Sequence, residues 1–124
     1  MTTTQPKLII HGGASSLNDK GGLAKVRPIL HNIVTEVYQL LNNGGTAVDA
    51  VVRGCQLLEN EPSFNAGTGS VLQSDGQIRM SASLMEGLNQ TFSGVINISR
   101  VKNPINLAKY LQDESDRILS DMGA

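Results

Sequence analysis

Two short glycine-rich stretches hold the residues best suited to chemistry: LIIHGGAS at residues 8–15 and FNAGTGS at residues 64–70. In the second stretch, glycine and alanine occupy three of five consecutive positions. This implies backbone angles that larger residues disfavour, or close contacts that leave no room for larger side chains. Such a loop can point several carbonyls at a cation, or hold the side chain of Asn65 in a fixed pose. An ordinary helix-to-strand connection has the same composition, so composition alone leaves these alternatives open.

The His11-Gly12-Gly13 stretch follows an apolar run and resembles elements of several kinds of site. A strand running into His-Gly-Gly occurs in amino-acid kinases, and lipases use an HGG-type loop as an oxyanion hole. The chain contains no G-x-S-x-G elbow, no G-x-x-x-x-G-K-[ST] loop and no G-x-G-x-x-G after a strand. Two interpretations of the His-Gly-Gly stretch therefore remain open. It is either a structural exit from a strand or part of a phosphotransferase site.

The other candidate ligands and nucleophiles are scattered along the chain. His11 and His31 are far apart, and neither belongs to a metal-ligand spacing. Cys55 has no neighbouring base and is predicted to pack in the core. Glu59 and Glu61 stand two positions apart at a helix end, so their side chains are expected to point in different directions and not to form an acid/base pair.

An N-terminal threonine is a further candidate, because removal of Met1 would leave Thr2 with its own amine as a base. Such a nucleophile has to lead directly into a core strand. Here Pro6 and three other residues separate Thr2 from the first predicted strand. Residues 1–6 are therefore predicted to form a flexible lead-in.

The composition indicates a soluble chain without a strongly charged surface. At 124 residues, with 40% apolar and 3% aromatic residues, it is long enough for one domain with a modest aliphatic core. The net charge of −1 argues against nucleic acid and anionic membranes as partners. No apolar run matches a signal sequence or a membrane span. The single cysteine fits a reducing compartment, so a cytoplasmic location is expected.

The first half of the chain is predicted to form a strand followed by two helices. Residues 7–11 have the pattern of a short strand. Apolar residues then recur at helical spacing as far as Leu41. This first helix is predicted to begin near Lys25, because Pro28 is tolerable only in a first turn.

The second helix has a clear start signal. Thr46 is followed three positions later by Asp49, which is close to a capping box. Helical periodicity predicts a buried face made of Ala47, Ala50, Val51, Gly54, Cys55 and Leu58.

The second half of the chain is predicted to consist mainly of strands. Asp75-Gly76 is the strongest hairpin signal, with an extended run on each side. Residues 92–101 have the pattern of a further strand, and Asn103-Pro104 is typical of a helix start. Residues 113–124 fit a short helix or the frayed beginning of a linker.

This order of elements predicts an α+β fold in a single domain over residues 1–124, because runs of helices followed by runs of antiparallel strands form layered sheets. A hairpin-built sheet of three or four strands has open edges, which proteins normally cover or pair. The chain is therefore expected to be part of something larger.

Five stretches of the chain can be compared with known families by their order and spacing: IIHGGA (9–14), GGTAVDAVV (44–52), LLENEPSFNAGTGSVLQSDG (57–76), MSASLMEG (80–87) and SGVINISRVKNPINLAK (93–109). Together they resemble the plant-type asparaginase family, also called isoaspartyl aminopeptidases, which are N-terminal-nucleophile (Ntn) hydrolases. The resemblance covers nearly the whole chain from Leu8 onward.

The resemblance implies that this chain is an α subunit. Family precursors cleave themselves, and the freed N-terminal threonine of the β chain attacks isoaspartyl dipeptides or L-asparagine. The chain would then be half of an αββα Ntn-hydrolase sandwich that a separate β subunit completes, within an (αβ)2 heterotetramer. No stretch here resembles the Gly-Thr cleavage junction, so the nucleophile is expected on the partner chain.

The resemblance also implies roles for individual residues. Asn65 matches an asparagine that approaches and helps to hold the catalytic threonine. His11, Gly12 and Gly13 match a loop near the cleavage site. The backbone carbonyls expected to bind a structural sodium ion are those of Leu58, Glu59, Phe64, Ala66 and Thr68.

Two positions depart from the family pattern. Ser15 stands where relatives often have glycine, and Ser81 stands where they often have aspartate. Neither residue is a nucleophile, so the departures bear on the preference between isoaspartyl dipeptides and L-asparagine. The alternative functions are a catalytically silent structural or regulatory half-domain, and a phosphotransferase built on the His-Gly-Gly loop.

Overall fold

A computed structural model describes residues 4–14 and 16–123. They form an α+β domain, as predicted, with these elements: α1 (Gly22–Asn42), α2 (Ala47–Asn60), β1 (Met80–Glu86), β2 (Thr91–Ile98), α3 (Pro104–Tyr110) and β3 (Ile118–Ser120). Residues 1–3 of the predicted lead-in, including Thr2, lie outside the described residues, as do Ser15 and Ala124. No helix within the described ranges is long and apolar enough to cross a bilayer.

Helix α1 begins at Gly22, earlier than predicted, so Pro28 lies inside the helix and not in its first turn. The left-handed backbone of Gly21, with φ of 85°, lets the chain turn directly into the helix. Proline has no N–H to donate to the preceding turn. The buried face of α1 nevertheless continues on both sides of Pro28, through Val26 and Val37.

Helix α2 begins with the predicted capping box, which is confirmed. The Asp49 N–H donates to Thr46 Oγ1 over 3.0 Å, and the Thr46 N–H donates to Asp49 Oδ2 over 3.1 Å. Two backbone donors at the start of the helix are thereby satisfied without help from the rest of the fold.

The predicted buried face of α2 is right at Ala50 and Gly54 but wrong at Ala47 and Val51, which are exposed. The cause is that α2 lies between two neighbours. Ala50 packs with α1, while Val52, on another side of the helix, packs with α3. The buried residues of α2 are Ala50, Val52, Gly54 and Glu59.

The sheet has the order β1–β2–β3, with β2 antiparallel to β1 and parallel to β3. Residues of β2 alternate between its two faces. Ser93 and Val95 are buried on the face that α3 covers, whereas Phe92 and Ile96 are exposed on the other. One face of the sheet is therefore packed within this chain and one is open.

The hairpin predicted over residues 70–83 is wrong for a non-local reason. Its turn is present, and the Gly76 N–H donates to the Gln73 carbonyl, but the arm before the turn belongs to no strand and the arm after it enters a strand only at Met80, the start of β1. The hairpin forms instead between β1 and β2. There the Glu86 carboxylate accepts the N–H groups of Leu88 and Asn89 over 2.6 and 2.8 Å.

The two ends of the described chain also differ from prediction. Ile118–Ser120 form strand β3 instead of a short helix or frayed segment, and Leu119 packs in the core beside its partner Val95. Residues 7–11 pair with no strand of the described chain. Leu8 and Ile10 still pack on the helical core, while the side chain of Ile9 is 92% exposed.

Candidate functional site

Residues of both glycine-rich stretches line one cavity of about 340 Å³. One wall is residues 11–14, and the other is Leu58 with residues 64–66. Lys20 also borders the space. The fold thus brings His11, Gly12 and Gly13 together with Asn65, two groups that the family resemblance placed near one cleavage site.

The close approach of the two walls depends on Gly12. A Cβ at this position would lie 2.7 Å from Cε1 of Phe64 and 3.2 Å from Cδ2 of Leu30. Phe64 is 4% exposed and packs in the core formed by α1 and α2. Since a ring in a close-packed core has little room to retreat, only glycine lets the backbone pass over it.

The Asn65 side chain is held at one of its two polar atoms. Its Oδ1 accepts a hydrogen bond of 3.0 Å from the Val71 N–H, which closes the loop behind it. Its Nδ2 has no hydrogen-bond partner within the described residues. An amide fixed through oxygen, with its N–H groups unused, can donate hydrogen bonds to a group that enters the cavity.

The segment that follows α2 folds back on the last turn of the helix. The Ala66 N–H donates to the Phe64 carbonyl over 2.9 Å, and the Gly69 N–H donates to the Ala66 carbonyl over 3.0 Å. Gly67, with φ of 50°, lies so close that a Cβ there would collide with the Glu59 carbonyl. The loop is therefore compact and rich in backbone carbonyls.

The five carbonyls predicted to bind sodium differ in their hydrogen bonding. Those of Leu58, Phe64 and Ala66 each accept one backbone hydrogen bond. Those of Glu59 and Thr68 accept none from the described residues. The same ranges contain no group of three or more His, Cys, Asp or Glu side chains that could hold a metal ion.

The sequence-based interpretation considered Glu59 as a backbone ligand and ruled it out of an acid/base pair, but it missed the burial of the Glu59 side chain. Its side chain is 6% exposed, and its oxygens accept hydrogen bonds from Asn103 Nδ2 over 2.9 Å and from the Ile105 N–H over 3.0 Å. Burial raises the pKa of this carboxyl, and these two hydrogen bonds oppose the increase. Spacing could have found it, because Val52, Cys55 and Glu59 recur at helical intervals on the face that meets α3.

The two acidic residues at the end of α2 point apart, as predicted. Glu59 faces α3, whereas Glu61 Oε1 accepts the Ser63 N–H of its own loop over 3.0 Å. Cys55 is half-buried against the cluster that contains Val52, and burial raises the pKa of its thiol. His31 is exposed on α1 and does not border the cavity.

The family model described as Asparaginase matches residues 4–124, which is nearly the whole chain. The chain belongs to the asparaginase family. The isoaspartyl peptidase/L-asparaginase of Synechocystis sp. is 74% identical over 119 residues, covering 96% of this chain and 36% of that protein. The protein of the same name from Nostoc sp. is 71% identical over 121 residues, covering 97% and 38%.

More distant asparaginase relatives match the same region. The isoaspartyl peptidase/L-asparaginase of Homo sapiens is 36% identical over 120 residues, covering 96% of this chain and 39% of that protein. This asparaginase-family chain therefore spans little more than a third of the length of the curated relatives it matches.

Proposed function

We propose that this chain is the α subunit of an enzyme that hydrolyses isoaspartyl dipeptides and L-asparagine. The observation that carries the proposal is the cavity that Asn65 lines together with the His11–Gly13 segment. Its support is that relatives 74% and 71% identical to the chain bear the name isoaspartyl peptidase/L-asparaginase. The single cysteine supports a cytoplasmic location.

The nucleophile is proposed to come from a second chain cut from the same precursor. None of the described residues around the cavity is Ser, Thr or Cys, so this part of the protein offers no hydroxyl or thiol there. The N-terminal threonine of a β subunit would enter the cavity, and its α-amine would take the proton of its hydroxyl.

The proposed reaction proceeds through an ester. The threonine oxygen attacks the side-chain amide or isopeptide carbonyl of the substrate, and the leaving amine departs with a proton from the α-ammonium group. Water then attacks the β-aspartyl ester, which releases aspartate and restores the hydroxyl. Asn65 would donate from Nδ2 to the threonine oxygen and keep it in position.

The open face of the sheet is the proposed contact with the β subunit. Phe92, Ile96 and Ile118 are 51%, 52% and 46% exposed on this face, while the opposite face is covered by α3. A second sheet packed on these side chains would remove apolar surface from water and complete an αββα sandwich. Two such αβ units would form the heterotetramer.

A structural sodium ion is proposed to bind the loop after α2 through the carbonyls of Leu58, Glu59, Phe64, Ala66 and Thr68. Neutral oxygen donors suit a hard cation, and the carbonyls of Glu59 and Thr68 accept no hydrogen bond within the described residues. Bound sodium would brace the loop that presents Asn65. Replacing sodium with tetramethylammonium should lower the melting temperature, and an unchanged value would contradict the site.

Intact-mass spectrometry of the native protein tests the main proposal. We expect a second polypeptide whose first residue is threonine, together with hydrolysis of β-Asp-Leu that is lost when this threonine is replaced by alanine. A single polypeptide, folded and inert on this substrate, would favour the silent half-domain. Thermal stabilisation by nucleotides would favour the phosphotransferase.

A further inference from the structure

We infer that the Glu59 side chain is a positioning residue, which ties the end of α2 to α3 and thereby fixes the loop that carries Asn65. The inference rests on the proposed function, in which Asn65 supports the nucleophile. Glu59 itself does not touch the reacting atoms. We call the hydrogen-bonded group of Glu59, Asn103 and Ile105 the Glu59 clamp.

The clamp joins two helices at their ends. Asn103 Nδ2 donates to Glu59 Oε2 over 2.9 Å and to Asn60 Oδ1 over 3.1 Å, so that one side chain holds the last two residues of α2. Asn103 precedes α3 but makes no side-chain cap. The carboxylate of Glu59 takes that place, because its Oε1 accepts the Ile105 N–H near the start of α3.

On its other side the clamp contacts the Asn65 loop. A Cβ on Gly67 would lie 2.8 Å from Glu59 Cβ and would overlap the Glu59 carbonyl, so the loop rests directly on this residue. The contacting atoms are the Cβ and backbone carbonyl of Glu59. Val71, whose N–H donates to Asn65 Oδ1, comes after Gly67 in the same loop. Because closely packed groups cannot shift independently, a shift of the α2 backbone at Glu59, which the clamp holds in place, would displace Gly67 and with it Asn65.

The chemistry of the clamp indicates a geometric purpose. A buried carboxylate costs free energy on folding unless its hydrogen bonds are satisfied, and an apolar residue of similar size often packs at least as well. Both oxygens of Glu59 are satisfied by N–H donors from α3 and the residue before it. Directional bonds at this position specify one arrangement of helix ends, which apolar contacts would not do.

The test measures hydrogen exchange of the Val71 amide in the native protein, together with kcat and KM. Glu59→Gln replaces one acceptor oxygen by a donor, and we expect exchange at Val71 to rise about tenfold, with lower kcat at unchanged KM. Adding Asn103→Asp should restore slow exchange, since position 103 can then accept from the new amide. The control Gln56→Ala removes a 2.6 Å bond to Asn106 between the same helices and should leave Val71 unchanged.

Unchanged exchange at Val71 in Glu59→Gln would overturn the inference, as would equal acceleration in Gln56→Ala. If Glu59→Gln does not fold, Asn103→Ala gives the same comparison, because it leaves the bond between Glu59 and Ile105 in place. Failure of the proposed function is recognised separately. In that case the native protein does not hydrolyse β-Asp-Leu, while Val71 exchange still reports on the clamp.

Discussion

The backbone of Gly12 lies against the ring of Phe64, at a distance that leaves no room for a Cβ on residue 12. This contact joins two glycine-rich stretches that are far apart in the sequence. It sets the separation of the cavity walls, because Phe64 is held in the helical core and Asn65 follows it directly.

Gly12→Ala should destabilise the protein by about 1–3 kcal/mol, since the added methyl group overpacks the site. It should also reduce activity by moving the His11–Gly13 segment away from Asn65. Urea unfolding gives the stability change. Gly87→Ala is the matched control, because nothing lies within 4 Å of a Cβ there. Equal losses in the two variants would contradict the role of the Phe64 contact.

Asn65→Ala should slow autocleavage or turnover by about 10²-fold, the usual cost of removing one well-placed donor. Asn65→Asp keeps an oxygen for the Val71 N–H but removes the Nδ2 donor, so it should be comparably slow. Size-exclusion chromatography should find subunit assembly unchanged in both. Wild-type rates in Asn65→Ala would contradict any role of this residue in the site. If Asn65→Asp alone has wild-type rates, the role of Asn65 is limited to accepting the Val71 N–H that closes the loop.

The capping box should make stability depend on acid pH. The side chain and backbone N–H of Thr46 lower the pKa of Asp49, with Lys109 at 3.7 Å as a weaker contributor. A pKa lowered by folding adds stability that is present above the unfolded-state value and disappears as pH falls through the folded-state value.

Asp49→Asn should therefore be less stable than wild type at neutral pH, and the difference should shrink below about pH 4. Urea midpoints across a pH series measure this difference. A gap that stays constant down to the lowest pH at which the protein is folded would show that the Asp49 charge is not involved.

Cys55 should react slowly with iodoacetamide. Burial, followed by the nearby charge of Glu59, raises the pKa of its thiol, so less of the reactive thiolate is present near neutral pH. Alkylation of the folded protein should be at least about tenfold slower than in denaturing urea. Equal rates in the two conditions would contradict the buried position of this thiol.

Features encoded by residues near one another in the chain were predictable. The capping box of Thr46 and Asp49, strand β2 and the start of α3 at Pro104 all follow from local periodicity, side-chain caps or fixed proline angles. These signals work because a helix makes its hydrogen bonds within one turn. Together with the order of elements, they were enough to predict an α+β domain.

Features that depend on distant partners were not predictable in this way. Ile118–Ser120 become a strand because β2 offers them an edge, whereas residues around Asp75-Gly76 keep their turn but find no strand to pair with. Helical spacing indicates the face of α2 on which Glu59 lies, but the donors that satisfy its buried carboxylate, Asn103 and Ile105, belong to another helix end. Strand pairing and the burial of a charge depend on groups that only the folded chain brings together, so their free energies cannot be inferred from neighbours in the sequence.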